Sequence, residues 1–420
     1  MQLAQFSTPI QSRQEPSDFT PQAQNLPQSQ FVPSDEIRDF VLAANVAAQD
    51  ATQDPAASTA PERVVSQLAG SAESATYLFA LCENAPLGEV SELSYPLISS
   101  TEPPQQSGIR GHAWPGGEPN FAGFIHLTLP LLEDTTIAEI ECVLDLDLLP
   151  LPGERASKKA IAVAKCLLAY AEDIASQFGR TRAQITLHYP ANHPPSADPF
   201  YFAITHAGYQ QHLGHIQAFI PVEKQEQKPV TATRNSRGPS STELSSTELS
   251  SKEPNYEIVT WLDFAITEKY SSQIRELLTI ASVDVPSGGL ELEPIHWTPS
   301  RMAQAAKRLR ARGGTTLLVG IVDKHTGKIC ALTEIARHYG SDPSVAEWTL
   351  TVTARENRNQ GLAKLVKRHA IAAARAHWPS VQRIYGSIPE QPNHMRAIYR
   401  ALGASEFSCS STWEKSLDAN

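Results

Sequence analysis

Arg358, Gly361 and Ala363 fall at the spacing R-x-x-G-x-A, at a point where the chain changes from one periodicity to another. Before them, Trp348 to Thr353 are β-branched or large apolar residues without Gly or Pro, the composition of a buried strand. After them, Leu362, Leu365, Val366, Ala370 and Ala373 recur at helical spacing, which predicts an amphipathic helix with Lys364, Lys367, Arg368 and Arg375 on its polar side. The first turn of a helix leaves N–H groups without intrahelical acceptors, and the helix dipole favours negative charge there. Gly361 and the small Ala363 would let a phosphate meet the main chain, and Arg358 adds positive charge. The chemistry implied is diphosphate binding by the amides from Asn359 to Ala363. Against it stands the plain turn that most glycines at helix starts make.

The elements that must position this loop can be read on both sides. Thr315 to Val322 and Ile329 to Ala336 have the composition of paired strands, and Asp323 to Lys328 joins them with Gly327 where a hairpin needs positive φ. Downstream come a strand near Val381 to Ile388, then Pro392-Asn393, then a short helix ending in Tyr399-Arg-Ala-Leu-Gly403-Ala404. Strand, hairpin, strand, phosphate loop, helix, strand, Asn, helix and Y-x-x-x-G, over about Tyr256 to Lys415, resembles the GNAT superfamily of acyl-CoA-dependent N-acyltransferases.

That resemblance implies acetyl-CoA as acyl donor, its diphosphate held by Arg358, Asn359, Gln360, Gly361, Leu362 and Ala363. It implies that a strand amide among Leu350, Thr351 and Val352 polarises the thioester carbonyl, that Asn393 contacts the cofactor arm, and that Tyr399 protonates the leaving thiolate. A base must also take a proton from the acceptor ammonium, and Glu334 or Glu347 could do so directly or through water. The chain departs from the family pattern in four ways. Gln360 or Ala363 stands where the family has a second Gly, and Ala354 or Arg355 where it has Pro. The run from Val352 to Arg358 is one residue long, and that from Asn393 to Tyr399 one residue short.

A chain of 420 residues exceeds one ordinary core and predicts two domains. Residues 1–30, rich in Gln, Ser and Pro, are expected to be a disordered extension. Residues 31–222 form a first region with a helix from Asp35 capped by Ser34, strands at Thr76 to Cys82, Phe121 to Leu129 and Ile137 to Leu149, a helix at Ala160 to Phe178, a strand at Ala183 to Tyr189, and a helix before Gly208. This order echoes the second region, with Ala207-Gly208-Tyr209 standing where Leu402-Gly403-Ala404 stands. Its loop, Leu149-Pro-Leu-Pro-Gly153-Glu154-Arg155-Ala-Ser-Lys158, lacks the motif, has two prolines with no N–H to offer, and carries an acidic residue. Residues 223–255 hold the repeated Ser-Ser-Thr-Glu-Leu unit of a low-complexity linker, and 256–420 form the cofactor-binding region. The expected fold is α/β (α+β): two GNAT-like domains, each a mixed, mostly antiparallel sheet flanked by helices, the first degenerate.

A net charge of −10 argues against a general binder of nucleic acid or anionic membranes. Five scattered cysteines without C-x-x-C spacing fit a reduced, cytoplasmic setting, and no run is long enough to span a membrane. His188, His193, His206, His212 and His215 lack the converging Cys or carboxylate partners that zinc would want, so no metal is expected. The helix from Pro299, with Arg301, Lys307, Arg308, Arg310 and Arg312, is either a solvated face or a cradle for the 3′-phosphate of CoA. The resulting expectation is acetyl transfer from acetyl-CoA to a primary amine of a small molecule, by direct attack in the C-terminal domain. A non-catalytic acyl-CoA sensor and an interaction scaffold are the alternatives.

Overall fold

The structure, a computed structural model, describes residues 1–9, 32–102, 114–115, 117–151, 154–191, 195–222, 255–311, 313–338, 342–391 and 393–417. Most of the expected extension and almost all of the linker, together with Gly153, His193, Arg312 and Pro392, lie outside the described residues.

The first half contains β1 (Gln2–Phe6), α1 (Asp35–Thr52), α2 (Pro61–Leu68), β2 (Ser74–Cys82), β3 (Leu97–Ile98), β4 (Phe121–Pro130), β5 (Ile137–Leu144), α3 (Lys158–Gln177), β6 (Arg182–Pro190), α4 (Pro199–His206) and β7 (Gln210–Pro221). The second contains β8 (Tyr256–Leu262), α5 (Glu268–Asp284), α6 (Pro299–Ala311), β9 (Gly314–Asp323), β10 (Ile329–His338), β11 (Val345–Thr353), α7 (Leu362–His377), β12 (Arg383–Pro389), α8 (His394–Ala401) and β13 (Ser405–Ser416). The thirteen strands of the described residues join one sheet in the order β3-β1-β2-β4-β5-β6-β13-β7-β12-β11-β10-β9-β8.

This order interlocks the two halves. β13, from the end of the chain, lies between β6 and β7 and pairs antiparallel with both. β7, from the end of the first half, pairs with β12 of the second. Each half therefore completes its sheet with the other's last strand. The first residues depart from the expectation of disorder. Gln2–Phe6 pairs antiparallel with β2, and Leu3, Ala4 and Phe6 are buried. Five residues with apolar side chains on both faces are enough for a strand when an existing sheet edge receives them.

Helices cover both faces. On one, α1 and α2 pack on β2 and β4, while α5 and α6 pack on Leu318, Leu332 and Val352. On the other, α3 and α4 pack on β4, β5 and β6, while α7 and α8 pack on Val319, Ala346, Ile384 and Ile388. Thr298 caps α6, its hydroxyl accepting the Arg301 N–H at 3.1 Å. Two of the α6 cations are directed at the first half: Arg301 pairs with Glu133 and Arg308 with Glu73. No helix among the described residues is long and apolar enough to cross a membrane.

In each half one parallel strand pair opens partway along. β5 and β6 are registered from Ile137–Arg182 to Ile140–Ile185, and β11 and β12 from Val345–Arg383 to Glu347–Tyr385. Beyond these points the strands diverge, and in the second half the gap lies beside Trp348 and Gly386.

Candidate functional site

The loop between β11 and α7 leaves the start of the helix uncapped by a side chain. Asn359 (φ 61°) and Gly361 (φ 78°) are both left-handed, so the chain reverses twice before the helix begins. Gly361 is the N-cap of α7 and no side chain caps the helix. Among the described residues, the N–H groups from Asn359 to Ala363 meet no protein acceptor. The run that is one residue too long is taken up by a single 3₁₀ turn, Arg355–Asn357. Arg358 donates through Nη2 to Asp284, at the end of α5, and Arg355 donates to the same carboxylate at 3.0 and 2.7 Å. Those bonds, Arg355 foremost, hold the Asp284 carboxyl down at about 2. Asp284 thus ties the loop to α5 while Arg358 stays 42% exposed at the amides. The equivalent helix of the first half is closed: Ser157 caps α3 and accepts the Ala160 N–H at 3.0 Å.

Behind the gap between β11 and β12 lies Tyr399, 3% exposed and edge-on to Trp348 at 5.9 Å between ring centroids. Gly386 is required here, because a Cβ at that position would overlap the Tyr399 hydroxyl. Counting back four residues from Gly208, as Tyr399 stands from Gly403, places Ile204 at this position in the first half, fully buried. β11 bulges against β10 between Glu334 and Ile335, which sets Glu334 opposite Leu350 and Ile335 opposite Trp348. Thr333 donates its hydroxyl to the Leu350 carbonyl at 2.7 Å and lies 2.8 Å from the Thr351 hydroxyl, fixing the strand at the bulge.

In front of the same gap is a cavity of about 540 Å³ whose wall comes from both halves. The second half contributes Glu347, Trp348, Tyr385, Gly386 and Ser387; the first contributes α1, α2, and His126, Glu141 and His188 from β4, β5 and β6. Asp54, after α1, accepts the Tyr385 hydroxyl and Arg383 Nη1 (3.1 Å), and its other oxygen accepts the Ala56 N–H at 2.9 Å. This buried junction holds the α1–α2 turn over β12. Opposite, His126 Nδ1 lies 3.2 Å from Glu141, and the His126 ring stacks on Phe40. Glu141 is 60% exposed, and the space it faces is the cavity. Burial pushes its carboxyl up, but the His126 hydrogen bond and the His126 and His188 charges outweigh that and leave it lowered. Burial also lowers His188, and Glu141 opposes it. Among the described residues no cluster of three His, Cys, Asp or Glu side chains could hold a metal ion.

The expected site residues fall into four places. Arg358 to Ala363 form the loop. Tyr399 stands at the gap, and Glu347 lines the cavity in front of it. Glu334 shares the cavity-side face of β10 with Leu332, and burial raises its carboxyl to about 7 against a Thr349 hydrogen bond. Asn393 is exposed at the start of α8 beside Arg396 and Arg400, away from the Tyr399 hydroxyl. One residue is misplaced by the sequence reading: Lys367, expected on the polar side of α7, is buried in the core. The signal was present, since Ala363, Lys367, Ala370 and Ala374 follow an i, i+4, i+7, i+11 stripe of otherwise small residues. The cavity wall from the first half carried no local signal, because Asp54 and Arg383 meet across 329 residues.

No family model matches the chain, and no curated protein matches it. Solved structures do. A tandem GNAT protein from the clavulanic acid biosynthesis pathway, solved without acetyl-CoA, aligns over 93% of this chain and 99% of its own at 18% identity, with a TM-score of 0.58. A GCN5-related N-acetyltransferase from Sphaerobacter thermophilus aligns over 94% and 97% at 12% identity, TM-score 0.53. The glucosamine N-acetyltransferase region of a fungal multi-domain GH3 β-N-acetylglucosaminidase aligns over 90% of this chain and 37% of that one at 9% identity, TM-score 0.52. At these identities the likeness establishes the fold. The chain has the fold of that tandem GNAT protein, mixed α/β with two copies.

Proposed function

We propose that the protein is an N-acetyltransferase that moves the acetyl group of acetyl-CoA onto a primary amine of a small molecule, with the chemistry in the second half. The observation that carries this reading is Gly386, which lines the cavity on one side and touches the Tyr399 hydroxyl on the other. A thioester entering from the free amides of residues 359–363, along α7 and α8, would meet an amine in the cavity at that gap. Among the described residues of the first half, Ser157 caps α3 and Ile204 stands at the tyrosine's position, so its part is to wall the cavity.

In this reaction the amine nitrogen attacks the thioester carbonyl carbon, the C–S bond breaks, and Tyr399 gives its proton to the departing sulfur. Backbone N–H groups at the β11 bulge, among Leu350, Thr351 and Val352, face the developing oxyanion. Glu347 offers a carboxylate to the acceptor ammonium in the cavity. Glu334, with a carboxyl near neutrality, takes the proton the amine must lose, directly or through water. Positioning supplies much of the rate, since the thioester is already activated. Asn393 contributes at most to the outer part of the cofactor arm.

Tyr399→Phe tests the assignment. It removes one hydroxyl and keeps the ring against Trp348, so acetyl-CoA affinity should hold while thiol release falls by roughly 10²-fold, within the range of general acid catalysis. An unchanged rate would remove Tyr399 from the chemistry. A second outcome concerns pH. Glu334 is protonated below about 7 and must be ionised to act, so kcat/KM should rise with pH through about 7. Glu334→Gln should erase that limb and lower the plateau; the same limb persisting in the variant would assign the base elsewhere.

A further inference from the structure

Lys367 is a charged-type side chain that the proposed reaction leaves without a task. It projects from α7 into the apolar core and is 1% exposed. Its Nζ lies 3.3 Å from the Tyr399 hydroxyl oxygen, 4.0 Å from the centroid of the Trp348 ring and 4.6 Å from that of Tyr399. Among the described residues no carboxylate pairs with it, and burial alone drives its pKa well below the ordinary lysine range. Packing does not account for such a residue. Desolvating an amine opposes folding, and a methionine, which loses as much rotamer freedom, would fill similar space without that cost.

The direction of the hydrogen bond is what matters. A tyrosine hydroxyl has one proton to give and lone pairs to accept with. If the lysine N–H occupies a lone pair, the hydroxyl proton is left to point elsewhere, and the backbone of Gly386 at the gap lies directly against that hydroxyl. We propose that Lys367 is the positioning partner of Tyr399: its amine donates to the phenol oxygen, turns the hydroxyl proton toward the gap beside Gly386, and steadies the phenolate left when that proton passes to the thiolate. The proposal rests on the acyl-transfer reading. In the step concerned the C–S bond breaks, sulfur gains the tyrosine proton, and the negative charge moves to the phenol oxygen held by Lys367. Solvent reprotonates the phenolate once the CoA thiol has left.

Four full-length chains test this: wild type, Lys367→Met, Tyr399→Phe and the double variant, each measured for kcat, KM for acetyl-CoA, and Tm. Lys367→Met should lower kcat about tenfold or more with KM unchanged, and should raise Tm because the buried amine is gone. In the Tyr399→Phe background the same substitution should change kcat by less than about twofold, since a residue acting through the hydroxyl has nothing left to act on. It should also raise Tm further there than in wild type, because the phenylalanine has already taken away the amine's acceptor. Additive losses in kcat, or Lys367→Met at the wild-type rate, would overturn the proposal. Should wild type transfer no acyl group to any amine, the acyl-transfer reading fails separately. The Tm values then decide for Lys367, and equal gains in both backgrounds would show no coupling and overturn it.

Discussion

Replacing Gly361 by Glu abolishes acetyl-CoA binding in this account, and isothermal titration of the full-length variant should give no measurable heat. Two effects act together. Gly361 sits at φ 78°, where a side chain is strained by roughly 1–2 kcal/mol. The larger effect is charge. A carboxylate placed about 4 Å from a diphosphate opposes it by about 4 kcal/mol at a surface-like effective dielectric, close to 10³-fold in affinity. The added charge lies at a helix N-terminus, where the dipole favours an anion, so the fold itself should persist. Gly361→Ala separates the two effects, because it carries the strain without the charge and should weaken binding about tenfold. Wild-type affinity in Gly361→Glu would mean that the diphosphate lies elsewhere.

Ending the chain at Ala404 should unfold both halves, although it removes only β13 and the residues after it. β13 pairs with β6 on one side and β7 on the other, so its loss opens two edges in the middle of the sheet. It also removes Trp413 and Leu417 from the core beneath α3 and α4 of the first half. Unpaired buried backbone groups are penalised by ~1–3 kcal/mol each, and a domain has only about 5–15 kcal/mol in all. Circular dichroism and a sizing column should report loss of cooperative melting, with aggregation through the freed edges. A truncated chain that stays monomeric and melts at the wild-type temperature would contradict the strand exchange. By the same exchange, a cut in the linker at residues 223–254 should leave the two pieces associated.

What the sequence allows to be read follows from how local each signal is. The loop at Arg358 to Ala363 was legible because strand, glycine turn and helix each mark themselves within a few residues. β13 was not. Ser405 to Ser416 is a polar run that reads as surface, yet Ser408, Ser410 and Ser411 are buried because a central strand has its backbone bonded on both sides and small side chains fit under the helices. β1 was hidden by the Gln- and Pro-rich sequence after it, which sets the average composition of the window. Lys367 was assigned to solvent by residue type, and type is the weaker guide where a lysine has an aromatic cage and a hydroxyl to meet. The cavity is the least local feature of all, since Asp54, Glu141 and Glu347 come together only when the sheet is complete.

The central claim is that an acetyl group leaves CoA at the gap between β11 and β12 and reaches an amine in the cavity between the halves. Its most direct measurement is mass-spectrometric detection of the acetylated amine, with free thiol counted in parallel, when full-length protein, acetyl-CoA and a broad panel of small primary amines are incubated together. An acetylated amine should form in step with free thiol, and neither should form with Gly361→Glu. Tight acetyl-CoA binding by the wild-type chain with no acyl transfer to any amine would contradict it, and would make the protein a sensor of the thioester.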